Sequence, residues 1–339
     1  MKLNKSVLTV AVLSTLSCSA MAATIYATED TTLKLGGRVE GRGYFAHDEY
    51  DDKSRVSINI EGETKVSDNA SFYGRYENEI GGADAAGSSA EDSMETRYMQ
   101  TGFKTNLGNF YYGRHDNATT FMTDWTDLAE VNSGIVNEHD ALTADRSEGN
   151  LRYELKKGGL TMNLGAVNNE VVEGFAASVG FELDSGFGIA AAYTDSKQDN
   201  YGENGDDFAG VNANNRTGMV ATKFDIGNLY MAAMYEQGST DFDSKSSDYI
   251  GMDAYIGLNF ADTGYSHHNI NVTYNYFEHD DRKFSHMDVE NIGLEYGYHI
   301  KNATIYASYT FNVLEDSDYL LDAKADTEDA VMVGVKYNF

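Results

Sequence analysis

Proline is absent from all 339 residues, where an average composition of about 5% would supply roughly 17. No Pro-rich, Ser-rich or low-complexity stretch marks a domain boundary, so the chain reads as one unit. There is one cysteine, Cys18, and one tryptophan, Trp125. Cys18 lies in what reads as a leader, so the mature chain has no disulfide. That does not argue against an oxidising compartment, because a large fold does not need staples. No run of 18 apolar residues occurs, which excludes membrane-spanning helices. Basic residues are scarce: 25 Lys and Arg stand against 54 Asp and Glu, for a formal charge of −29. Such acidity argues against nucleic acid as a partner. It favours solvated acidic loops, or a passage that attracts cations.

What is present points elsewhere. The first 22 residues have the form of a secretory leader. Lys2 and Lys5 precede the apolar stretch Val7–Leu16, and Ala20-Met21-Ala22 is a small-x-small cleavage site. Cleavage between Ala22 and Ala23 is expected, leaving a mature domain over 23–339. Loss of the two lysines moves the charge from −29 to −31. Thr15 stands three positions before Cys18, where a lipoprotein site carries leucine.

The mature chain has period two. In Leu33–Phe45 the odd positions Leu33, Leu35, Val39 and Phe45 alternate with Lys34, Arg38, Glu40 and Arg42. In Arg55–Val66, Val56, Ile58 and Ile60 alternate with Arg55, Ser57, Asn59 and Glu61. Strict alternation means a sheet with one apolar and one polar face. A soluble sandwich buries the apolar face, whereas a transmembrane barrel turns it to lipid.

About sixteen such segments follow one another. They are Leu33–Phe45, Arg55–Val66, Ala70–Ile80, Met94–Asn106, Gly108–Gly113, Arg146–Lys156, Leu160–Asn168, Ala176–Leu183, Gly188–Asp195, Asn214–Asp225, Gly227–Gln237, Asp248–Phe260, His268–Glu278, Met287–His299, Asn302–Asn312 and Asp329–Phe339. Short turns such as Ser67-Asp68-Asn69 and Lys157-Gly158-Gly159 alternate with long acidic loops such as Gly81–Ser93 and Val313–Glu328. That rhythm predicts an all-β, 16-stranded antiparallel transmembrane barrel of an outer membrane, with both termini on the short-turn, periplasmic side. The register is decided energetically. A slip of one residue would place Arg38, Glu40 and Arg42 against lipid, and a midplane Arg there costs roughly 2–4 kcal/mol.

The longest interruption of the pattern is Asn117–Asp145, which holds Trp125 and the acids Asp124, Asp127, Glu130, Glu138 and Asp140. A long structureless insert in a compact fold is usually functional. The final strand sets Val331, Val333, Val335, Tyr337 and Phe339 on one face and ends on an aromatic. Tyr337 and Phe339 are expected to form an outer-membrane assembly signal.

Several stretches carry a resemblance, taken together and in order: Leu35-Gly36-Gly37-Arg38, Gly62-Glu63-Thr64, Tyr112-Gly113-Arg114, Thr126–Gly134 and Gly334–Phe339. Over the whole mature chain they are similar to the general, non-specific trimeric porins of Gram-negative outer membranes. The sequence looks closest to the acidic porins of marine gammaproteobacteria. The resemblance implies a third loop, Asn117–Asp145 here, that folds into the barrel and narrows the pore. It also implies a homotrimer in outer-membrane lipid and lipopolysaccharide, placed there by the barrel-assembly machinery, passing ions and small hydrophilic solutes. In such porins loop carboxylates face basic side chains across the pore. The matching positions are Asp127 and Glu130, with Asp124 as a third acid, and Arg38, Arg55, Arg97 and Arg146 on the wall. The tip departs from the family: Ala129-Glu130-Val131-Asn132-Ser133-Gly134 lacks a proline and a glycine often found there.

Parity puts Arg38 and Arg55 inward, and places Arg146 with Glu148, Asn150, Arg152 and Glu154. Arg97 alternates with Tyr98, but a bulge is expected before Phe103, which leaves its face open. Asp127-Leu128-Ala129-Glu130 also has capping-box spacing, so both acids could instead start a short helix. One uncompensated carboxylate about 5 Å from an ion in water-like dielectric is worth roughly 0.8 kcal/mol, about fourfold in local concentration. The expected consequence is mild cation preference, weakening in salt.

Other functions leave thinner traces. A hydrolase would need a histidine beside a nucleophile; His115-Asp116 and His139-Asp140 are its only seeds. A sugar-specific channel would need an aromatic slide, whereas the inward sets are mostly charged. Gly81–Gly87 lacks the end of a phosphate loop and, within the resemblance, would be the latch that leans on a neighbouring subunit. His267-His268, at a turn, and the acidic outer loops offer no defined metal ligand set, and no cofactor is expected.

Overall fold

A computed structural model describes residues 22–46, 49–81, 94–134, 142–143, 146–201, 211–242, 245–280, 288–314 and 329–339. The expected leader, except Ala22, and the expected latch Gly81–Gly87, except Gly81, lie outside the described residues. So do Glu138, His139, Asp140 and His286.

The described residues are strand almost throughout. β1 (Ala23–Ala27), β2 (Thr31–Ala46), β3 (Glu49–Asp52), β4 (Arg55–Ser67), β5 (Ala70–Gly81), β6 (Met94–Thr105) and β7 (Gly108–Asp116) precede a single helical turn, α1 (Thr120–Thr123). Then follow β8 (Arg146–Lys157), β9 (Leu160–Asn168), β10 (Val172–Glu182), β11 (Phe187–Tyr201), β12 (Val211–Ile226) and β13 (Leu229–Phe242). β14 (Lys245–Phe260), β15 (Ser266–His279), β16 (Val289–Ile300), β17 (Ala303–Asn312) and β18 (Ala330–Asn338) complete the chain.

Of these 18 strands, β1 and β3 are short additions and the remaining sixteen form the wall. Each wall strand pairs antiparallel with its neighbour in sequence, and β18 closes the barrel on β2 from Val331↔Phe45 to Asn338↔Arg38. A closed barrel leaves no open sheet edge in lipid. The lower part of the same β2 edge is completed by β1, which pairs from Ala23↔Leu35 to Ala27↔Thr32. The two terminal segments therefore share one seam. The Gly37 N–H donates to the Phe339 carbonyl at 3.0 Å and the Phe339 N–H to the Gly37 carbonyl at 2.9 Å. Gly37 has to be a glycine there, since a Cβ would meet the Phe339 ring at 2.7 Å.

The expected faces are as read. Val39, Ile58, Ile60, Val333, Val335 and Tyr337 are exposed on the outside. Arg38, Glu40, Arg42, Ser57 and Asn59 are buried within. A one-residue slip would exchange the two sets along a whole strand. This inversion of the soluble pattern, with polar groups inside and a continuous apolar exterior, is what a lipid-facing wall requires.

Two features depart from the expectation. β1 and β3 are extra. β1 is short and exposed throughout, and β3 only extends the first hairpin by pairing with Gly43–Ala46. The strands are also longer than read. Most of the expected loop Gly238–Ser247 is strand, since β13 reaches Phe242 and β14 begins at Lys245; the expected loop Asn169–Phe175 shrinks to residues 169–171. A bilayer needs only about 9–11 residues per strand. Beyond it pairing continues, but neither face is constrained to be apolar, so the alternation fades before the strand ends.

Candidate functional site

The lumen has two unlike walls. On β2, β4, β5 and β6 basic side chains crowd around a few carboxylates. Arg38 Nη2 lies 2.5 Å from Glu79, Arg55 Nη1 lies 3.5 Å from it and Arg97 Nη1 3.6 Å. Arg55 Nε also donates to Glu40 at 2.6 Å, and Arg97 Nε lies 3.5 Å from Glu77. Arg75 pairs with Glu77 at 2.6 Å, and its guanidinium stacks 3.5 Å from the centre of the Tyr98 ring. Arg146, from β8, lies over the same ring at 5.3 Å. Guanidiniums this close repel one another, and the interleaved carboxylates offset that repulsion. A carboxylate shared by three arginines in a half-dry wall fixes all of them.

Two bulges create this arrangement. β5 and β6 lose register between Glu77 and Asn78, where Arg97 is the extra residue, so Arg97 and Tyr98 both reach the charge network. This is the bulge expected before Phe103, and it brings Arg97 into the lumen. The second is not legible in the alternation. Gly149, with φ +62°, breaks the register of β7 and β8 between Gly113 and His115. The expected common parity from Arg146 to Glu154 therefore fails: Asn150, Arg152 and Glu154 are buried, but beyond the bulge Ser147 is buried and Glu148 exposed. An extra residue shifts the alternation by one.

The segment after β7 runs along the inner wall. The Ser178 hydroxyl donates to the Ala118 carbonyl, and the Thr119 hydroxyl donates to Leu142 at 3.0 Å, tying the outgoing limb to the returning one. Next, α1 and the turn after it carry Phe121, Met122 and Trp125 onto β11, β12 and β13. Met122 and Trp125 are buried with Ala190, Met219, Ala221, Ala232 and Met234. The Trp125 carbonyl accepts from the Tyr230 hydroxyl at 2.9 Å, and Lys223 Nζ sits 4.8 Å above the indole. Small residues on the inner wall make the seat. A Cβ on Gly180 would meet the Phe121 ring at 2.7 Å, and one on Gly188 the indole at 3.1 Å.

The tip crosses to β15, β16 and β18. The Glu130 N–H donates to both Glu295 carboxylate oxygens at 3.0 Å, and the Glu130 carboxylate receives Lys336 Nζ at 2.5 and 2.6 Å. The Asn132 amide donates to Asn291 at 3.0 Å and to Thr273 at 3.3 Å. The Asp127 carboxylate accepts from Ser133 at 2.7 Å across the tip. Gly134, at φ +68°, passes so close that a Cβ would sit 2.8 Å from Asp127 Cγ. No helix begins at Asp127, so the capping-box alternative is not realised: α1, the helical turn among the described residues, comes earlier, and Thr119 leads it without a side-chain cap.

The sequence-derived residues thus fall into two groups. Arg38, Arg55 and Arg97 share Glu79, with Arg146 next to them over Tyr98. Glu130 reaches Lys336, and Asp124 and Asp127 lie in the descending turn and the tip. Lys336 is the direct cross-strand neighbour of Glu40, which also accepts from Tyr306 at 2.7 Å. The loop tip therefore meets the barrel beside the arginine wall, where Glu40 pairs with Arg55 and Arg55 with Glu79. The inward parity of Lys336 was visible in its strand; its partner, 206 residues away, was not. Glu40, Arg75, Glu77, Glu79 and Glu295 were likewise inward by alternation but carried no motif.

His115 is fully buried, with its ring nitrogens 2.9 and 3.0 Å from the backbone carbonyls of Asp116 and Asn150. That leaves neither nitrogen placed to activate a nucleophile. The inward tyrosines Tyr98, Tyr111, Tyr249, Tyr255 and Tyr306 are buried as well, not laid out as an open slide.

With this geometry in hand, residues 29–339 match the family model of the Gram-negative porins. The chain belongs to the Gram-negative porin family. Porin-like protein L of Photobacterium profundum is 28% identical, covering 99% of this chain and all of that protein. Among solved structures, OmpF of Salmonella typhi superposes with a TM-score of 0.76 at 22% identity, covering 94% of this chain and 100% of OmpF. A trimer form of OmpT from Vibrio cholerae gives 0.71 at 17% identity, covering 92% of this chain and all of that one. This porin is a multi-pass β-barrel channel of the outer membrane.

Proposed function

We propose that this porin is a passive diffusion channel for ions and small hydrophilic solutes, mildly cation-selective, working as a homotrimer. The observation that carries the reading is the seating of the third loop. Its apolar residues fill a pocket in one wall and its tip pairs with Lys336, while the arginine wall stays in place opposite. Asp124, Asp127 and Glu130 face Arg38, Arg55, Arg97 and Arg146 across a narrowed passage. Opposed charges there set up a transverse field, which orders water and disfavours apolar solutes while small polar ones pass. Most of these charges are offset by a neighbour, so the channel is a sieve with a mild bias rather than an ion filter. The trimer is supported by the trimer form of the Vibrio cholerae relative. Residues 1–22 act as a leader removed before Ala23. Tyr337 and Phe339, at the seam, are read by the barrel-assembly machinery, and the apolar exterior is held by lipid and lipopolysaccharide.

Recording from the refolded protein in a planar bilayer tests this. The expected result is large, open conductance that closes in steps of three under high voltage. A silent bilayer, or single steps from a protein that is monomeric in detergent, would contradict the channel reading or the trimer respectively.

A further inference from the structure

Tyr98 stands on the charged wall because of the bulge at Arg97. Regular alternation turns neighbouring residues to opposite faces. The extra residue lets Tyr98 follow Arg97 into the lumen, where it is buried across from Glu77. Its contacts run to three other strands. On β5, the Arg75 guanidinium, paired with Glu77, lies 3.5 Å from the ring centre. On β8, the Arg146 guanidinium lies 5.3 Å from it, with Nη1 3.5 Å from the phenol oxygen. Both guanidiniums are within the roughly 6 Å over which a cation is attracted to an aromatic face. On β7, the Tyr98 hydroxyl donates to Asp116 Oδ1 at 2.5 Å. Asp116 ends β7, directly before the third loop, and is the cross-strand partner of Arg146.

We propose that Tyr98 is a positioning residue for selectivity: its ring holds Arg75 and Arg146 at the passage, and its hydroxyl ties that pair to the root of the third loop. The inference rests on the channel reading above. The ring is neutral, so it gathers two guanidiniums without cancelling their charge. Arg38, Arg55 and Arg97 are gathered by the Glu79 carboxylate instead, which offsets part of theirs. A phenol that donates to a carboxylate makes a stronger bond than one between neutral groups. The loop is thus fixed to the charged wall at its root, as its tip is fixed at Lys336.

Reversal potentials read the ring. Arg146→Ala should move the permeability ratio toward cations by up to about fourfold. In a Tyr98→Leu background the shift should be less than half as large, because the guanidinium is no longer held there. Tyr98→Phe keeps the ring and should restore the full shift. An Arg146 effect of equal size in all three backgrounds, or none in any, would overturn the proposal. Hydrogen exchange of the folded, detergent-solubilised protein reads the hydroxyl without reference to conductance. Backbone amides from His115 to Thr120 should exchange about tenfold faster in Tyr98→Phe and in Tyr98→Leu, through loss of a hydrogen bond to a charged group. Unchanged exchange would overturn the proposal even if no variant conducts, whereas silence of the unsubstituted protein contradicts the channel reading alone. Heat-modifiable gel migration shows that each variant has folded.

Discussion

The two sides of the lumen solve opposite problems. The wall of β2, β4, β5 and β6 is charged, and each long side chain is fixed by a counter-charge: Arg38, Arg55 and Arg97 by Glu79, Arg75 by Glu77. The wall of β11, β12 and β13 is apolar and small, and it is shaped to receive Phe121, Met122 and Trp125. The first wall leaves polar groups facing the passage. The second gives up its part of the passage to anchor the loop. Anchoring by burial is short-ranged and strong, whereas the field of the charged wall is weakened by screening. Position should therefore depend on the apolar side, and selectivity on the charged side.

The largest effect should come from the anchor. Trp125→Ala removes the one indole from its pocket, a truncation that costs about 3–5 kcal/mol in a packed core. The wall pairs independently of it, so the barrel should still assemble while the loop loosens. Single-channel records should show higher and noisier conductance. Unchanged conductance would mean that the hydrogen bonds of the tip hold the loop without the indole. Gly188→Val attacks the same contact from the wall side and should red-shift the emission of Trp125.

A smaller effect is expected from the charged wall. Glu79→Ala leaves three guanidiniums without their shared carboxylate, and the reversal potential should move toward anions by up to about fourfold in permeability ratio. Lys336→Ala should move it the other way by a similar or lesser amount, because Glu130 is then uncompensated. If both substitutions shift selectivity in the same direction, the neighbouring charges Lys336, Glu40, Arg55 and Glu79 are not the unit that sets the field. The smallest effect needs no mutation. Raising salt from 0.1 to 1 M shortens the Debye length from about 10 to about 3 Å, and selectivity should fall while conductance rises.

The charged wall was far more legible in the sequence than the anchor. Alternation alone put Arg38, Glu40 and Arg55 inside, because a charged side chain against lipid is costly. It failed at Ser147 and Glu148, where the Gly149 bulge shifts the face, and it was silent on β1, whose few residues carry no periodic signal. The apolar pocket was hidden for a different reason. Gly180, Gly188, Ala190 and Ala221 are unremarkable as strand residues, and their smallness acquires meaning only once Trp125 is placed against them. Contacts such as Glu130 with Lys336 join positions 206 residues apart, and local pattern holds no record of them.

The most direct test of the account is the reversal potential of the unsubstituted channel under a tenfold KCl gradient at low salt. A potential of cation sign, well short of the ideal value for a perfectly selective pore, is the predicted result. An anion-selective potential would contradict it, since the arginine wall would then outweigh the acids of the loop.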